Sequence, residues 1–126
     1  NKNIKMTGID LFPNSISSCY KHVHGNIIDK IRDFADDQFD LVVCAHVLEH
    51  LKDPQRMLKE IKRVSKKRII IICPLEKKYK WGMNYHVQFF PTADDFFNFA
   101  STGTSKIKTN KLYKRLGDAM YVEEIF

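Results

Sequence analysis

Glycine is scarce in this 126-residue chain, and what there is of it is scattered: Gly8, Gly25, Gly82, Gly103 and Gly117, with no G-x-G spacing anywhere. The tight glycine turn that lets a backbone approach a dinucleotide pyrophosphate needs that spacing, so these residues carry no dinucleotide-binding turn of the usual pattern. Cysteine is equally sparse. Cys19, Cys44 and Cys73 form no C-x-x-C pair and are odd in number, which argues against a disulfide framework. Cys44 and Cys73 lie in apolar, strand-like runs and are expected to be reduced, buried, small hydrophobes. Long hydrophobic runs are missing too. The longest, Ile69 to Pro74, is far shorter than the ~20 residues of a membrane span. No basic stretch followed by an apolar one opens the chain, so no secretory signal is read. The expectation is a cytoplasmic protein with no membrane association. The first residue is Asn1 rather than Met, and a targeting segment upstream would leave no trace here.

What is present is ordinary for a globular domain: 44% hydrophobic and 29% charged residues, enough for one core. A single domain over 1–126 is expected. The net charge of +6 is unevenly placed, because residues 1–58 hold 7 basic and 8 acidic side chains and residues 59–126 hold 14 and 7. A later half at +7 fits either a solvated lysine surface or a polyanion partner such as nucleic acid. No aromatic-basic recognition motif accompanies the charge, which favours the solvated surface.

The order of elements is more informative. Ile4 to Leu11 reads as a short strand stopped by Phe12-Pro13-Asn14; a brief helix over Ser15 to Lys21 and an extended piece around His22 to Ile27 follow. Residues 28–38 suggest one or two irregular helical turns. Phe39 to Ala45 has the apolar, β-branched character of a strand buried on both faces. Asp53-Pro54 supplies an N-cap carboxylate and a proline at the first helical position. Met57, Leu58, Ile61 and Val64 then recur along one helical face, and the helix is expected to close in Lys66-Lys67-Arg68. Ile69 to Cys73 reads as a second buried strand, giving a βαβ unit and a parallel sheet. Beyond a loop over 75–91, Thr92 and Asp95 form a capping-box-like start to a helix carrying Phe96, Phe97 and Phe99 inward. Lys106 to Leu116 and Ala119 to Phe126 read as a hairpin about Gly117-Asp118.

The stretch FDLVVCAHVLEHLKDPQRMLKEIKRVSKKRIIIICP resembles the fourth strand, following helix and fifth strand of class I, Rossmann-like S-adenosylmethionine-dependent methyltransferases. TGIDLFPNS resembles the second strand of that family, and NYHVQFFPTADDFFNF the segment in which a His precedes a substrate-side helix. The resemblance implies a three-layer α/β fold: a mostly parallel sheet with a C-terminal antiparallel hairpin. It also implies that the first βα unit, with its glycine-rich loop, is missing from these 126 residues. In the family that strand lies between the second and fourth, so its absence leaves edges that need other partners.

The resemblance further implies S-adenosylmethionine as cofactor. Asp10, at the carboxyl end of a strand, would accept hydrogen bonds from the ribose diol, with Leu11 over the adenine; the plainer alternative is that Asp10 shapes the turn before Pro13. Asn26 and Ile27 stand where relatives read the adenine edge, although an amide replaces the usual acid and a mere turn residue after Gly25 is the alternative. Ala45 and His46 would border the methionine portion. Glu49, His50 and His86 are candidates on the acceptor side, where an imidazole titrating near neutrality can orient or deprotonate a nucleophile. Methyl transfer needs little beyond in-line positioning, so these residues could instead cap and pack the loops. Tyr85, Phe89 and Trp81 could line an acceptor pocket or simply cover the sheet's end, and Lys77, Lys78 and Lys80 could meet an anionic acceptor or only water. Asp40, at the start of its strand, reads as structural.

His46 to His50 also fits H-x-x-E-H, the inverted zinc-protease motif, with Glu123 and Glu124 as conceivable third ligands. That site needs both histidines on one face of a continuous helix. The Asp53-Pro54 start argues against it, and His22 and His24 make at best a weak pair. No resident metal is expected. The expected function is methyl transfer to an O, N or C atom of an unidentified acceptor, by a chain that is a fragment, a degenerate relative, or completed in a homo-oligomer or by a partner chain. The alternative is a non-catalytic scaffold or binding module, with nucleic acid a less favoured partner.

Overall fold

A computed structural model describes residues 3–13, 20–78, 85–103 and 107–125, the last range without the side chains of 107 and 108. The expected helix from Ser15, and Cys19, Lys80 and Trp81, lie outside the described residues. The chain divides into two compact units, Asn1–Ala35 and Asp36–Phe126.

The first unit holds β1 (Thr7–Asp10) and β2 (Lys21–His24), paired in parallel with Thr7 opposite Lys21 and Asp10 opposite His24. Gly8 is required by close approach: a Cβ there would stand 2.8 Å from the Tyr20 ring. Both strands are shorter than the apolar pattern suggests. Asn26 then caps α1 (Ile27–Lys30), its Oδ1 accepting from Ile28 N at 2.9 Å, and a 3-10 turn over Ile31–Asp33 follows. These are the irregular turns expected after residue 27.

The second unit is a four-stranded sheet in the order β3-β4-β6-β5, formed by β3 (Phe39–Ala45), β4 (Ser65–Pro74), β5 (Ile107–Arg115) and β6 (Asp118–Ile125). β3 and β4 are parallel, joined through α2 (Pro54–Val64), whereas β6 is antiparallel to both β4 and β5. The sheet is therefore mixed, with the βαβ unit and closing hairpin that the sequence suggests. Asp53 Oδ1 accepts from Arg56 N at 3.1 Å and Pro54 opens α2, as its capping pattern requires. α3 (Ala93–Ala100) starts in a complete capping box between Thr92 and Asp95. The hairpin turns through Leu116 (φ +50°) and Gly117 (φ +89°), a two-residue loop with both central residues left-handed.

Both helices cover one face of this sheet. Lys62 of α2 reaches Glu123 of β6, and Phe97 of α3 packs edge-on against Tyr121 of β6 with ring centroids 5.7 Å apart. Ile69, Ile71, Cys73, Ala119, Tyr121 and Glu123 on that face are all fully buried. The opposite face is different. Leu41 and Val43 are half-exposed, and Ile70, Ile72, Met120 and Val122 only partly covered. The expectation that β3 is buried on both faces is thus corrected: its apolar run reflects alternation between a packed side and an open one. The end of α2 also differs from expectation. The helix stops at Val64, and Lys66-Lys67-Arg68 belong to β4. They are held there by strand pairing and by ion pairs, Lys67 with Asp40 at 2.8 Å and Arg68 with Glu124 at 2.6 Å, while Lys62 and Arg63 supply the cations of the last helical turn. The exposed Asp40 carboxylate is held below its ordinary pKa by the Lys67 hydrogen bond and charge, in keeping with a structural role.

Among the described residues, β1 pairs only with β2, and β3 only with β4.

Candidate functional site

In the first unit the carboxyl end of β1 is built around Asp10. Its Oδ1 accepts from Phe12 N at 2.9 Å, so the acid does form the turn before Pro13. The side chain remains exposed, and a carboxylate has acceptor capacity beyond this one bond. Leu11 is exposed beside it, its carbonyl accepting from His24 Nε2 at 2.9 Å. Asn26 has its carbonyl oxygen committed to capping α1, and Ile27 is the partly buried first residue of that helix. His24 is used by Leu11, which leaves little for a metal pair with His22.

In the second unit the site lies at the carboxyl ends of the parallel strands β3 and β4. Ala45 closes β3 and is exposed. His46 follows with φ +53°, a left-handed conformation uncommon outside glycine that concentrates at functional sites. Its backbone N donates to Ile72 O at 2.9 Å, continuing the ladder past the strand. The ring stands between two acids, Nδ1 at 3.4 Å from Glu49 Oε1 and Nε2 at 3.7 Å from Asp118 Oδ2. A 3-10 turn over Leu48–His50 comes next, anchored by fully buried Leu48.

Glu49 is the unusual residue of this turn. It is 1% exposed, its Oε2 meets only the weak Cys73 Sγ–H donor at 3.8 Å, and its Oε1 has no hydrogen-bond partner. Its carbonyl receives Val87 N at 2.7 Å and Gln88 N at 3.0 Å, which fastens the 85–90 segment to the turn. That segment brings His86 against His50, rings edge-to-face at 4.8 Å. His50 Nδ1 donates to Tyr85 O at 3.3 Å and His86 Nδ1 donates to Glu76 Oε2 at 2.6 Å, so both rings are oriented from behind. The neighbouring thiols are inert: burial pushes Cys44 up to about 12, and burial with the Glu49 charge raises Cys73 still further.

Glu49, His50 and His86 are therefore brought together, and His46 touches the cluster through Glu49. Tyr85 contributes a carbonyl while its exposed ring points to no described partner pocket; Lys77 and Lys78 are exposed. Two members escaped the sequence reading. Glu76 follows the strand-ending Pro74, a position that strand-end reasoning could have flagged. Asp118 arrives opposite Pro74 only through antiparallel pairing, for which the sequence carries no local signal. The protease arrangement is overturned, because His46 ends a strand and His50 ends a separate three-residue turn, so no continuous helix carries both. Glu123 and Glu124 are engaged by Lys62 and Arg68 instead.

Parallel strands joined by a crossover helix, with chemistry-bearing side chains at their carboxyl ends, define an α/β protein of the Rossmann-like class. The family model described as a methyltransferase domain matches residues 1–73, and the chain belongs to that family. Solved structures agree in fold. A SAM-dependent methyltransferase from Thermotoga maritima, a possible histamine N-methyltransferase, is 14% identical with a TM-score of 0.65, over 85% of this chain and 65% of that one. Another from Archaeoglobus fulgidus is 15% identical with a TM-score of 0.65, over 98% and 77%. The [4+2]-cyclase SpnF is 11% identical with a TM-score of 0.68, over 97% and 66%, so the fold alone does not fix the reaction. The chain spans between 65% and 77% of the length of these structures. No curated protein matches it. Among the described residues no helix is long and apolar enough to cross a membrane.

Proposed function

We propose that the chain serves S-adenosylmethionine-dependent methyl transfer, with the acceptor bound at the histidine–carboxylate cluster. The observation that carries this reading is the family match, which spans β1 to β4 and so includes every residue assigned to the cofactor. Asp10 would accept from the ribose hydroxyls, Leu11 would cover the adenine, Asn26 and Ile27 would border its amino edge, and Ala45 with His46 would border the methionine portion. The residues fit this role unevenly. Asp10 is exposed and rigidly placed by its own turn, whereas Asn26 has its carbonyl oxygen occupied and would contribute its amide nitrogen or its backbone.

When bound, the cofactor supplies a methyl group on a positively charged sulfur. His50 and His86 would orient an acceptor hydroxyl or amine. A second copy or a partner chain would complete the sheet, as the resemblance implies.

A non-catalytic module is the competing reading, favoured by the absence of G-x-G and by the +7 charge of residues 59–126. Calorimetric titration with S-adenosylhomocysteine separates the two. Saturable micromolar binding supports the enzyme. A well-folded chain that ignores the cofactor product but binds RNA or DNA in a salt-sensitive manner supports the module.

A further inference from the structure

Glu49, His50 and His86 each offer a ligand atom, and these atoms lie within 4.8 Å of one another. We propose that they form a site for one divalent transition-metal ion of the zinc type, bound by a carboxylate and two imidazoles, with its remaining positions open to water or to an acceptor oxygen. The inference goes beyond methyl transfer and stands on the geometry of these residues alone.

Three independent observations point to the ion. The first is the state of Glu49. A carboxylate 1% exposed should be paired or fully hydrogen-bonded, yet Oε1 has no hydrogen-bond partner, only the half-exposed His46 Nδ1 at 3.4 Å, and Oε2 has only a thiol at 3.8 Å. A cation would supply the missing partner.

The second is the arrangement behind the histidines. Ligating imidazoles almost always donate their other N–H to a carboxylate or a backbone carbonyl, which fixes the ring and raises its basicity. His86 donates Nδ1–H to Glu76 Oε2 at 2.6 Å, and His50 donates Nδ1–H to Tyr85 O at 3.3 Å. Each ring would coordinate through its other nitrogen.

The third is the framing of the site. The hydrogen bonds from Val87 N and Gln88 N to Glu49 O, and from Glu76 N to Phe90 O at 3.0 Å, tie together the three segments that carry the ligands and the Glu76 support. Metal–ligand bonds of about 2.0–2.2 Å would draw the three ligand atoms closer by roughly an ångström, a movement open to the partly exposed imidazoles.

The donor set selects the ion. Two imidazoles and one carboxylate suit zinc and its neighbours in the first transition row, whereas calcium and magnesium prefer all-oxygen surroundings. Three protein ligands leave a coordination position open, the pattern of a reactive rather than a purely structural ion, and a water or hydroxyl held there loses its proton near neutral pH.

The test uses the full chain, free of any histidine tag and stripped by chelator, titrated with Zn2+ by calorimetry and with Co2+ by visible absorption. One ion per chain is expected, with d–d bands from mixed nitrogen and oxygen ligands. His50→Ala and His86→Ala should each weaken binding at least tenfold, and Glu76→Gln, which removes only the outer partner, by about 10–100-fold. His24→Ala, removing a histidine of the first unit, should leave affinity unchanged. The exposed His50 makes its variant a safe carrier of the test if Glu49→Gln fails to fold. Binding that is absent, or equally strong in the His50→Ala, His86→Ala double variant, overturns the proposal.

Discussion

Lys62 of α2 and Glu123 of β6 meet inside the second unit with Nζ and Oε2 3.0 Å apart and side chains only 4% and 0% exposed. The same carboxylate oxygen accepts from Tyr121 OH at 2.7 Å, and the ammonium donates to Thr102 O at 2.9 Å. Helix, strand and the loop after α3 are thereby joined in one buried polar group. Burying two charges is expensive, and such a pair repays the cost only when every donor and acceptor is used.

Removing one member should therefore be far worse than removing both. Lys62→Met is expected to destabilise the chain by about 3–5 kcal/mol, because it strands the Glu123 charge in the core. The Lys62→Met, Glu123→Leu double variant should recover much of that loss. Urea denaturation of the four members of this cycle measures the coupling directly. Equal and additive effects would show that the two side chains act independently.

The buried thiol of Cys44 makes stability depend on alkaline pH. Burial, followed by the Glu49 charge, raises its pKa from 9.0 to about 12. The folded chain keeps this proton where the unfolded chain has lost it. The contribution is thus fully present below pH 9 and fades as pH rises from 9 toward 12. Between pH 8 and pH 10.5 the parent should lose up to about 2 kcal/mol more stability than Cys44→Ala, read as the difference in their urea midpoints at the two pH values. Identical declines would remove Cys44 from the account.

Leu116 is poorly suited to its place. It sits at φ +50° in the hairpin turn and is almost wholly exposed, so its side chain buries nothing while its backbone occupies a region that disfavours branched apolar residues. Leu116→Asn should raise stability by about 0.5–1 kcal/mol, seen as a higher urea midpoint at unchanged slope.

How much of this was legible in the sequence depended on whether the signal was local. Phe39 to Ala45, the Asp53-Pro54 helix start and the Thr92–Asp95 capping box were readable because each is set by neighbours in the chain. The hairpin was readable from Gly117. The errors arose where a distant segment decides. Lys66 to Arg68 look like a helix end, but pairing of β4 with β3 from Ser65, and with β6 from Arg68, draws them into a strand. Leu41 and Val43 look like core, but no described helix of their unit lies on their side of the sheet. At the site, Glu49, His50 and His86 were named from a resemblance, yet their convergence rests on Val87 and Gln88 bonding to the Glu49 carbonyl. Asp118 could not have been found without the register of β6 on β4.

The central claim is that this chain holds S-adenosylmethionine through the acid at the end of β1. The most direct test is calorimetric titration with S-adenosylhomocysteine of the parent, of Asp10→Ala, and of Asp53→Ala as a control that alters a helix cap. Two hydrogen bonds to a charged group are at stake, so Asp10→Ala should weaken binding by roughly 10–100-fold while Asp53→Ala stays near the parent value. Parent-like affinity in Asp10→Ala, or no binding by a well-folded parent, would contradict the claim.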